Sequence, residues 1–232
     1  MFNKIFSITQ EKCEYLCENS FILKHLDNII LLFILLSLVS TLFCSTDTIG
    51  FLALVVIFLT VIKIFVKKGK ELETTPLDVA LLVYFLFVFI SLAGSTLFHL
   101  SLKGFLKTIT YLGFYLSLVQ YLKDNTNKLN TILLTVGSML SFESIYAVFQ
   151  NSIPTDTNLT WQDTSYLMPE EVMTRVYGTL QPYNPNLLAG YLIVCIPVIY
   201  AICVYFFTQK NFKLGITTLV LSAISSWAVI CT

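Results

Sequence analysis

The sequence predicts an all-α protein whose helices cross a membrane several times. Of its 232 residues, 56% are hydrophobic and only 12% are charged, which is about half the charged share of a typical soluble domain. The hydrophobic residues form runs of roughly 20, the length that a helix needs to cross the hydrocarbon core of a bilayer. We therefore predict a polytopic transmembrane helix bundle, with about seven spans in this sequence.

The apolar runs and the polar segments between them define the order of the spans. The connection 151–185 holds four of the six prolines, which predicts a long loop outside the membrane. The parts are an N-terminal segment 1–28, spans one to five within 29–150, the outer loop 151–185, and spans six and seven within 186–232. We predict the individual spans at 29–45, 49–66, 77–97, 104–122, 129–150, 186–208 and 214–232.

Lysine and arginine residues are distributed unevenly between the two sides of this arrangement. One side carries eleven of them, whereas the other carries only Lys103, Lys107 and Arg175. Short cytoplasmic loops are enriched in Lys and Arg, so we predict that the N-terminus is cytoplasmic and that the 151–185 loop lies outside. Lys63 falls in an apolar run near its cytoplasmic end, where its side chain can extend to the interface. The net charge of zero gives no reason to expect a nucleic-acid partner.

Two predicted helices begin with a capping residue followed by proline. Thr75 and Pro76 start the third span, and Asn184 and Pro185, followed by Asn186, start the sixth. The start of the sixth helix would face the outside. Helix N-termini carry unpaired backbone N–H groups and roughly half a positive charge, so this one is a candidate anion site.

Arg175 is the only arginine in the sequence and lies a short distance before that helix start. Its planar guanidinium suits bidentate binding of phosphate. The combination predicts a phosphate site that Arg175 binds and that Asn184–Asn186 shape. The alternative is an ordinary surface ion pair between Arg175 and Glu170 or Glu171.

A second basic group lies on the predicted outer side. His99, Lys103 and Lys107 recur at the i, i+4, i+8 spacing that places side chains on one helical face. They are candidates to contact a pyrophosphate or a lipid phosphate. The alternative is that the side chains simply extend to lipid headgroups.

Glu143 lies well inside the fifth predicted span. A carboxyl group within a membrane helix is costly and marks a functional site by default. It would act as a proton carrier or as the partner of a buried cation. Alternatively, it would be a protonated acid that is hydrogen-bonded to a neighbouring helix, and the sequence does not separate these readings.

The motifs of common soluble enzymes are absent from the sequence. It has no HExxH motif, no pair of CxxC motifs and no cluster of carboxylates, so no metal ion is predicted. It has no phosphate-binding loop, and its two histidines do not suggest a Ser-His-Asp set. We predict no cofactor.

The segment Arg175–Leu180 and the segment Asn184–Tyr191 together resemble the central motif of the O-antigen ligase and polymerase superfamily. Thr160–Asp163 resembles the branch of this superfamily whose members are labelled inorganic-carbon (bicarbonate) transporters. The resemblance covers most of the chain in the layout of its spans, but it is specific only over about 160–191. Gln181–Tyr183 looks like an insertion relative to the usual tighter turn.

The resemblance implies a metal-independent glycosyltransferase of the bacterial inner membrane with about a dozen spans. Its ligases transfer a glycan from a polyprenyl-pyrophosphate carrier to a saccharide or lipid acceptor at the outer, periplasmic face. Basic residues hold the pyrophosphate, and Arg175 matches the arginine of the motif, with Lys103 and Lys107 as possible additional contacts. A His in a later outer loop would be the base. The last apolar run reaches Thr232 without a polar stop, so we expect that loop beyond it and expect this part alone to be inactive.

Two other functions remain open at this point. The first is a transporter of a small anion such as bicarbonate, with Glu143 and a kink at Pro197 as its functional features. The single acid in a span and the absence of an internal repeat make this reading weaker. The second is a non-catalytic scaffold in an envelope complex.

Overall fold

A computed structural model of the chain describes residues 20–66, 74–152, 175–181 and 183–232. Within these ranges the protein is helical apart from short connections and has no strand, which confirms the predicted all-α class. Two short elements, a helical turn at Phe21–Lys24 and a 3-10 turn at Thr126–Lys128, accompany seven long helices. The long helices are α1 (Leu26–Phe43), α2 (Thr46–Val66), α3 (Pro76–Ala93), α4 (Phe98–Asp124), α5 (Leu129–Asn151), α6 (Pro185–Thr208) and α7 (Phe212–Cys231).

Six of these seven helices are long and apolar enough to cross a membrane, judged by length and composition. All seven predicted spans are therefore present as helices, with ends that differ by a few residues from the predicted ones. The exception among the seven is α4, a helix of 27 residues that carries both Lys103 and Lys107. Its apolar stretch is shorter relative to its length, because polar side chains occupy its first turns.

Some predicted features lie outside the described residues. They are the N-terminal segment up to residue 19 and most of the predicted outer loop, residues 153–174. The latter range includes Thr160–Asp163 and the two acids, Glu170 and Glu171, that were alternative partners of Arg175.

The described chain divides into two compact units. The first is drawn from residues 1–37 and 47–128, and the second from residues 38–46 and 129–232. In the first unit α3 packs against α4, where the rings of Phe85 and Phe105 stack with centroids 5.6 Å apart. Helix α3 has no buried residue, as expected of an apolar helix whose surface faces lipid.

The start of α3 is the one that the sequence predicts. Pro76 is the first residue of the helix, and the Asp78 carboxylate accepts hydrogen bonds from the Thr75 N–H at 2.7 Å and from the Thr75 hydroxyl at 2.8 Å. The acid therefore satisfies a backbone donor that precedes the helix and lies near the positive end of its dipole.

The prediction that Lys63 extends to the membrane interface is wrong. Its side chain is only 5% exposed, and its Nζ lies 2.6 Å from Asp27 Oδ1 and 3.0 Å from Asp124 Oδ2. The ammonium also lies 5.2 Å from the centre of the Tyr121 ring. The ammonium pairs with carboxylates from two other helices, which offset the cost of burying its charge. These ion pairs join α1, α2 and α4 within the first unit.

In the second unit α5, α6 and α7 pack against one another. Their shared core is apolar and includes Leu140, Leu188 and Leu192, each with no exposed surface. The Ser144 hydroxyl on α5 donates a buried hydrogen bond of 2.9 Å to the Ser225 hydroxyl oxygen on α7. Small hydroxyl side chains of this kind are common where membrane helices approach closely.

Candidate functional site

The segment Val176–Leu180, which we call the strap, is neither helix nor strand and precedes α6 in the second unit. Alternate side chains point inward, since Val176 and Leu180 are buried in the core while Tyr177 and Thr179 are partly exposed. Because the strap lacks the regular internal hydrogen bonds of a helix, its backbone N–H groups need partners from neighbouring elements.

Glu143 supplies partners for one end of the strap. Its carboxyl group, on α5, has no exposed surface. Oε1 accepts a hydrogen bond from the Thr179 N–H at 2.6 Å, and Oε2 lies 2.7 Å from the Thr179 hydroxyl oxygen. The structure thus gives this intramembrane acid a specific partner in the strap.

Gln150 supplies the partner for the next two residues of the strap. Its Oε1 accepts hydrogen bonds from the Tyr177 N–H at 3.2 Å and the Gly178 N–H at 3.1 Å. Gln150 lies two turns after Glu143, on the same face of α5. The sequence reading missed this residue, although a second polar side chain two turns from an intramembrane acid was a signal that could have identified it.

Gly178 allows the close approach between the strap and α5. Its φ is +66°, a region that side chains of L-residues rarely adopt. A Cβ atom at this position would lie 1.9 Å from Glu143 Oε1. The absence of a side chain is therefore what lets the carboxyl group reach the Thr179 N–H.

The strap and the residue after it also satisfy the last carbonyl groups of α1. The Thr179 hydroxyl oxygen lies 3.0 Å from the Leu42 carbonyl oxygen. The Gln181 side-chain amide donates a hydrogen bond of 3.4 Å to the Phe43 carbonyl oxygen. The last carbonyl groups of a helix have no N–H partner inside it. Side chains from another part of the chain supply the missing donors here.

Helix α6 begins as predicted, with Asn184 as its cap and Pro185 as its first residue. The Asn186 N–H donates to Asn184 Oδ1 at 2.8 Å, and the N–H groups of Leu187 and Leu188 both donate to the Asn184 carbonyl oxygen at 3.0 Å. Pro185 has no N–H. The prediction that this helix start offers unpaired N–H groups to an anion is therefore wrong for the first turn of the helix, because capping by Asn184 uses the N–H groups of Asn186, Leu187 and Leu188.

Arg175 immediately precedes the strap and has an exposed side chain. Its Nε donates to the Thr232 carbonyl oxygen, and its Nη2 donates a long hydrogen bond of 3.4 Å to Asn186 Oδ1. The structure therefore brings together Arg175 and the helix start that the sequence associated with it. The contact is made by a side chain of that start and not by its backbone.

The other predicted basic residues belong to the first unit. His99, Lys103 and Lys107 all lie on α4 and are exposed, as the helical spacing predicted. Lys107 Nζ lies 4.0 Å from Asp47 Oδ1 in a solvent-exposed pair, which contributes little to stability. A joint role of Lys103, Lys107 and Arg175 stays a prediction.

Within the described ranges no group of three or more His, Cys, Asp and Glu residues could hold a metal ion. The Arg175 guanidinium is exposed and is of a kind that suits anion binding.

Comparison with protein-family models, with curated proteins and with solved structures finds no match to this chain. The resemblance to the O-antigen ligase and polymerase superfamily over 160–191 stays a prediction. The protein is described by its structure as an all-α chain with six candidate membrane spans.

Proposed function

We propose that this chain is part of a membrane glycan ligase or polymerase and binds the pyrophosphate of a polyprenyl-linked saccharide donor. Transfer would take place at the outer face of the bacterial inner membrane, to a saccharide or lipid acceptor. The observation that supports this proposal is the exposed Arg175 guanidinium beside Asn186 at the start of α6.

Among the described residues, the guanidinium keeps donors that a ligand could use. It carries five N–H groups in a planar fork, and its contacts among the described residues use two of them, one to Thr232 and one to Asn186. The remaining donors suit the oxygens of a pyrophosphate. The positive end of the α6 dipole adds a favourable field there, even though its N–H groups are paired.

Binding is tested with the full chain in lipid nanodiscs and farnesyl pyrophosphate as the probe. Charge-assisted hydrogen bonds contribute about 1.5–3 kcal/mol, so Arg175→Ala is expected to weaken binding by about tenfold or more. Arg175→Lys keeps the charge but loses the fork, and its affinity should fall between the two. Lys213→Ala, which removes an exposed charge elsewhere in the second unit, is the matched control and should bind like the wild type.

Catalysis is tested in cells that depend on the full-length protein. Arg175→Ala should abolish glycan transfer while the amount of protein in the membrane stays unchanged. Normal transfer by this variant, or equal farnesyl pyrophosphate affinity in the wild type and Arg175→Ala, would sink the proposal.

The alternative function is transport of a small anion such as bicarbonate. The observation in its favour is Glu143, a carboxyl group in the middle of an apolar helix. Uptake of labelled bicarbonate into proteoliposomes that disappears in Glu143→Gln would support transport. If the protein takes up no bicarbonate and binds no farnesyl pyrophosphate, the scaffold function is favoured.

A further inference from the structure

The protonation state of Glu143 can be worked out by counting hydrogens around Thr179. A hydroxyl group has one hydrogen to donate, whereas a backbone carbonyl oxygen can only accept. The Thr179 hydroxyl oxygen lies 3.0 Å from the Leu42 carbonyl oxygen and 2.7 Å from Glu143 Oε2. Both distances are those of hydrogen bonds. The contact with Leu42 can be a hydrogen bond only if the Thr179 hydroxyl donates to it.

With that hydrogen used for Leu42, the contact between Thr179 and Glu143 Oε2 lacks a hydrogen of its own. If Glu143 were ionised, the single hydroxyl hydrogen would be shared between two acceptors and both hydrogen bonds would be weakened. A protonated Glu143 gives each contact its own hydrogen. It donates from Oε2 to the Thr179 hydroxyl, which donates to Leu42, while Oε1 accepts from the Thr179 N–H at 2.6 Å.

The surroundings of Glu143 also disfavour a charge. The side chain has no exposed surface, and no ion pair in the described part of the chain includes it. The Leu42 carbonyl belongs to the last turn of α1, where the helix dipole is negative. An unpaired carboxylate there would be both desolvated and repelled.

The same hydrogen bonds hold the strap that follows Arg175. Together, Glu143 and Gln150 accept from three consecutive N–H groups, those of Tyr177, Gly178 and Thr179. The backbone of Arg175 is thereby attached to a part of the chain that is fixed on α5.

We infer that Glu143 is a neutral carboxylic acid that positions the Arg175 segment by holding the strap together with Gln150. The assignment of a neutral acid rests on the contacts of Thr179 and on the burial of Glu143. The effect on ligand binding rests on the proposed function of Arg175.

The first test is infrared spectroscopy of the wild type and of Glu143→Gln in nanodiscs at neutral pH. The wild-type spectrum should contain the C=O stretch of a protonated carboxyl group, and the difference between the two spectra should isolate it. Asp47→Asn removes an exposed carboxyl group in the first unit and should leave that band in place. A difference spectrum with only carboxylate bands would overturn the inference.

The second test uses rescue by the amide. Glutamine reproduces the neutral acid, since its NH₂ can donate to the Thr179 hydroxyl and its oxygen can accept from the Thr179 N–H. Glu143→Gln should therefore bind farnesyl pyrophosphate within about twofold of the wild type, whereas Glu143→Leu should lose about tenfold, which is 1.4 kcal/mol. Loss of binding in Glu143→Gln, with its helices still folded, would contradict the positioning role.

The two proposals fail in different ways. If the wild type does not bind farnesyl pyrophosphate, the proposed function fails, while the infrared band still decides the protonation state. If Arg175→Ala loses binding but no protonated carboxyl band depends on Glu143, the inference fails and the proposed function survives.

Discussion

Replacing Gly178 by Ala would place a methyl group 1.9 Å from Glu143 Oε1, well inside van der Waals contact. Two costs add. A residue with a Cβ atom at a φ of +66° costs about 1–2 kcal/mol of strain. The carboxyl group must also move away from Thr179, and leaving a buried polar group without its hydrogen bond costs about 1–3 kcal/mol. We therefore expect Gly178→Ala to lower the free energy of unfolding by about 3 kcal/mol.

The assay is reversible unfolding in mixed detergent micelles with increasing SDS, followed by circular dichroism. Gly190→Ala is the matched control, because a Cβ atom there would meet nothing within 4 Å, and alanine favours a helix by up to about 1 kcal/mol over glycine. The control should be as stable as the wild type or slightly more stable.

A double-mutant cycle separates the two costs of Gly178→Ala. In a Glu143→Ala background the 1.9 Å clash is gone and the remaining approach is 3.1 Å, to the end of the Leu188 side chain. The second substitution should then cost mainly the backbone strain of about 1–2 kcal/mol. The reasoning is refuted if Gly178→Ala destabilises the wild type no more than it destabilises the Glu143→Ala protein.

Two further predictions concern polar contacts elsewhere in the described chain. Lys63→Met removes a buried cation that lies 3.0 Å from the partly buried Asp124 carboxylate and should destabilise the protein by about 3 kcal/mol. Lys107→Met, in its exposed pair, should leave the SDS midpoint unchanged. Ser225→Ala removes the partner of Ser144 at 2.9 Å and should cost about 0.6 kcal/mol, the usual size of such bonds in membrane proteins. The same unfolding assay measures both. Equal midpoints for the two lysine variants would contradict the first estimate. A cost of Ser225→Ala above about 2 kcal/mol would contradict the second.

The positions of the helices could be predicted from the sequence because the signals are local. An apolar run of sufficient length predicts a span wherever it occurs. The starts of α3 and α6 follow from Thr75-Pro76 and Asn184-Pro185, where cap and helix are neighbours in the chain. The association of Arg175 with the start of α6 could be predicted in the same way, since the two lie close in sequence.

The errors arose where a polar group has a choice of partners. Lys63 can reach the interface or a carboxylate, and the sequence does not show that Asp27 and Asp124 meet it. The N–H groups at the start of α6 can bind an anion or the capping residue. They donate to Asn184, which is adjacent in the chain.

The amino-acid sequence alone therefore determined that this is an all-α membrane protein, where its helices begin and end, and which residues were worth considering as a site. The tertiary structure decided the partners of the buried polar groups. It brought Glu143 to Thr179, Gln150 to the strap and the strap to the end of α1. Such pairs are far apart in the chain and share no periodic pattern. Only the packing of the helices decides which donor meets which acceptor, because a buried group must pair with whatever the fold places beside it.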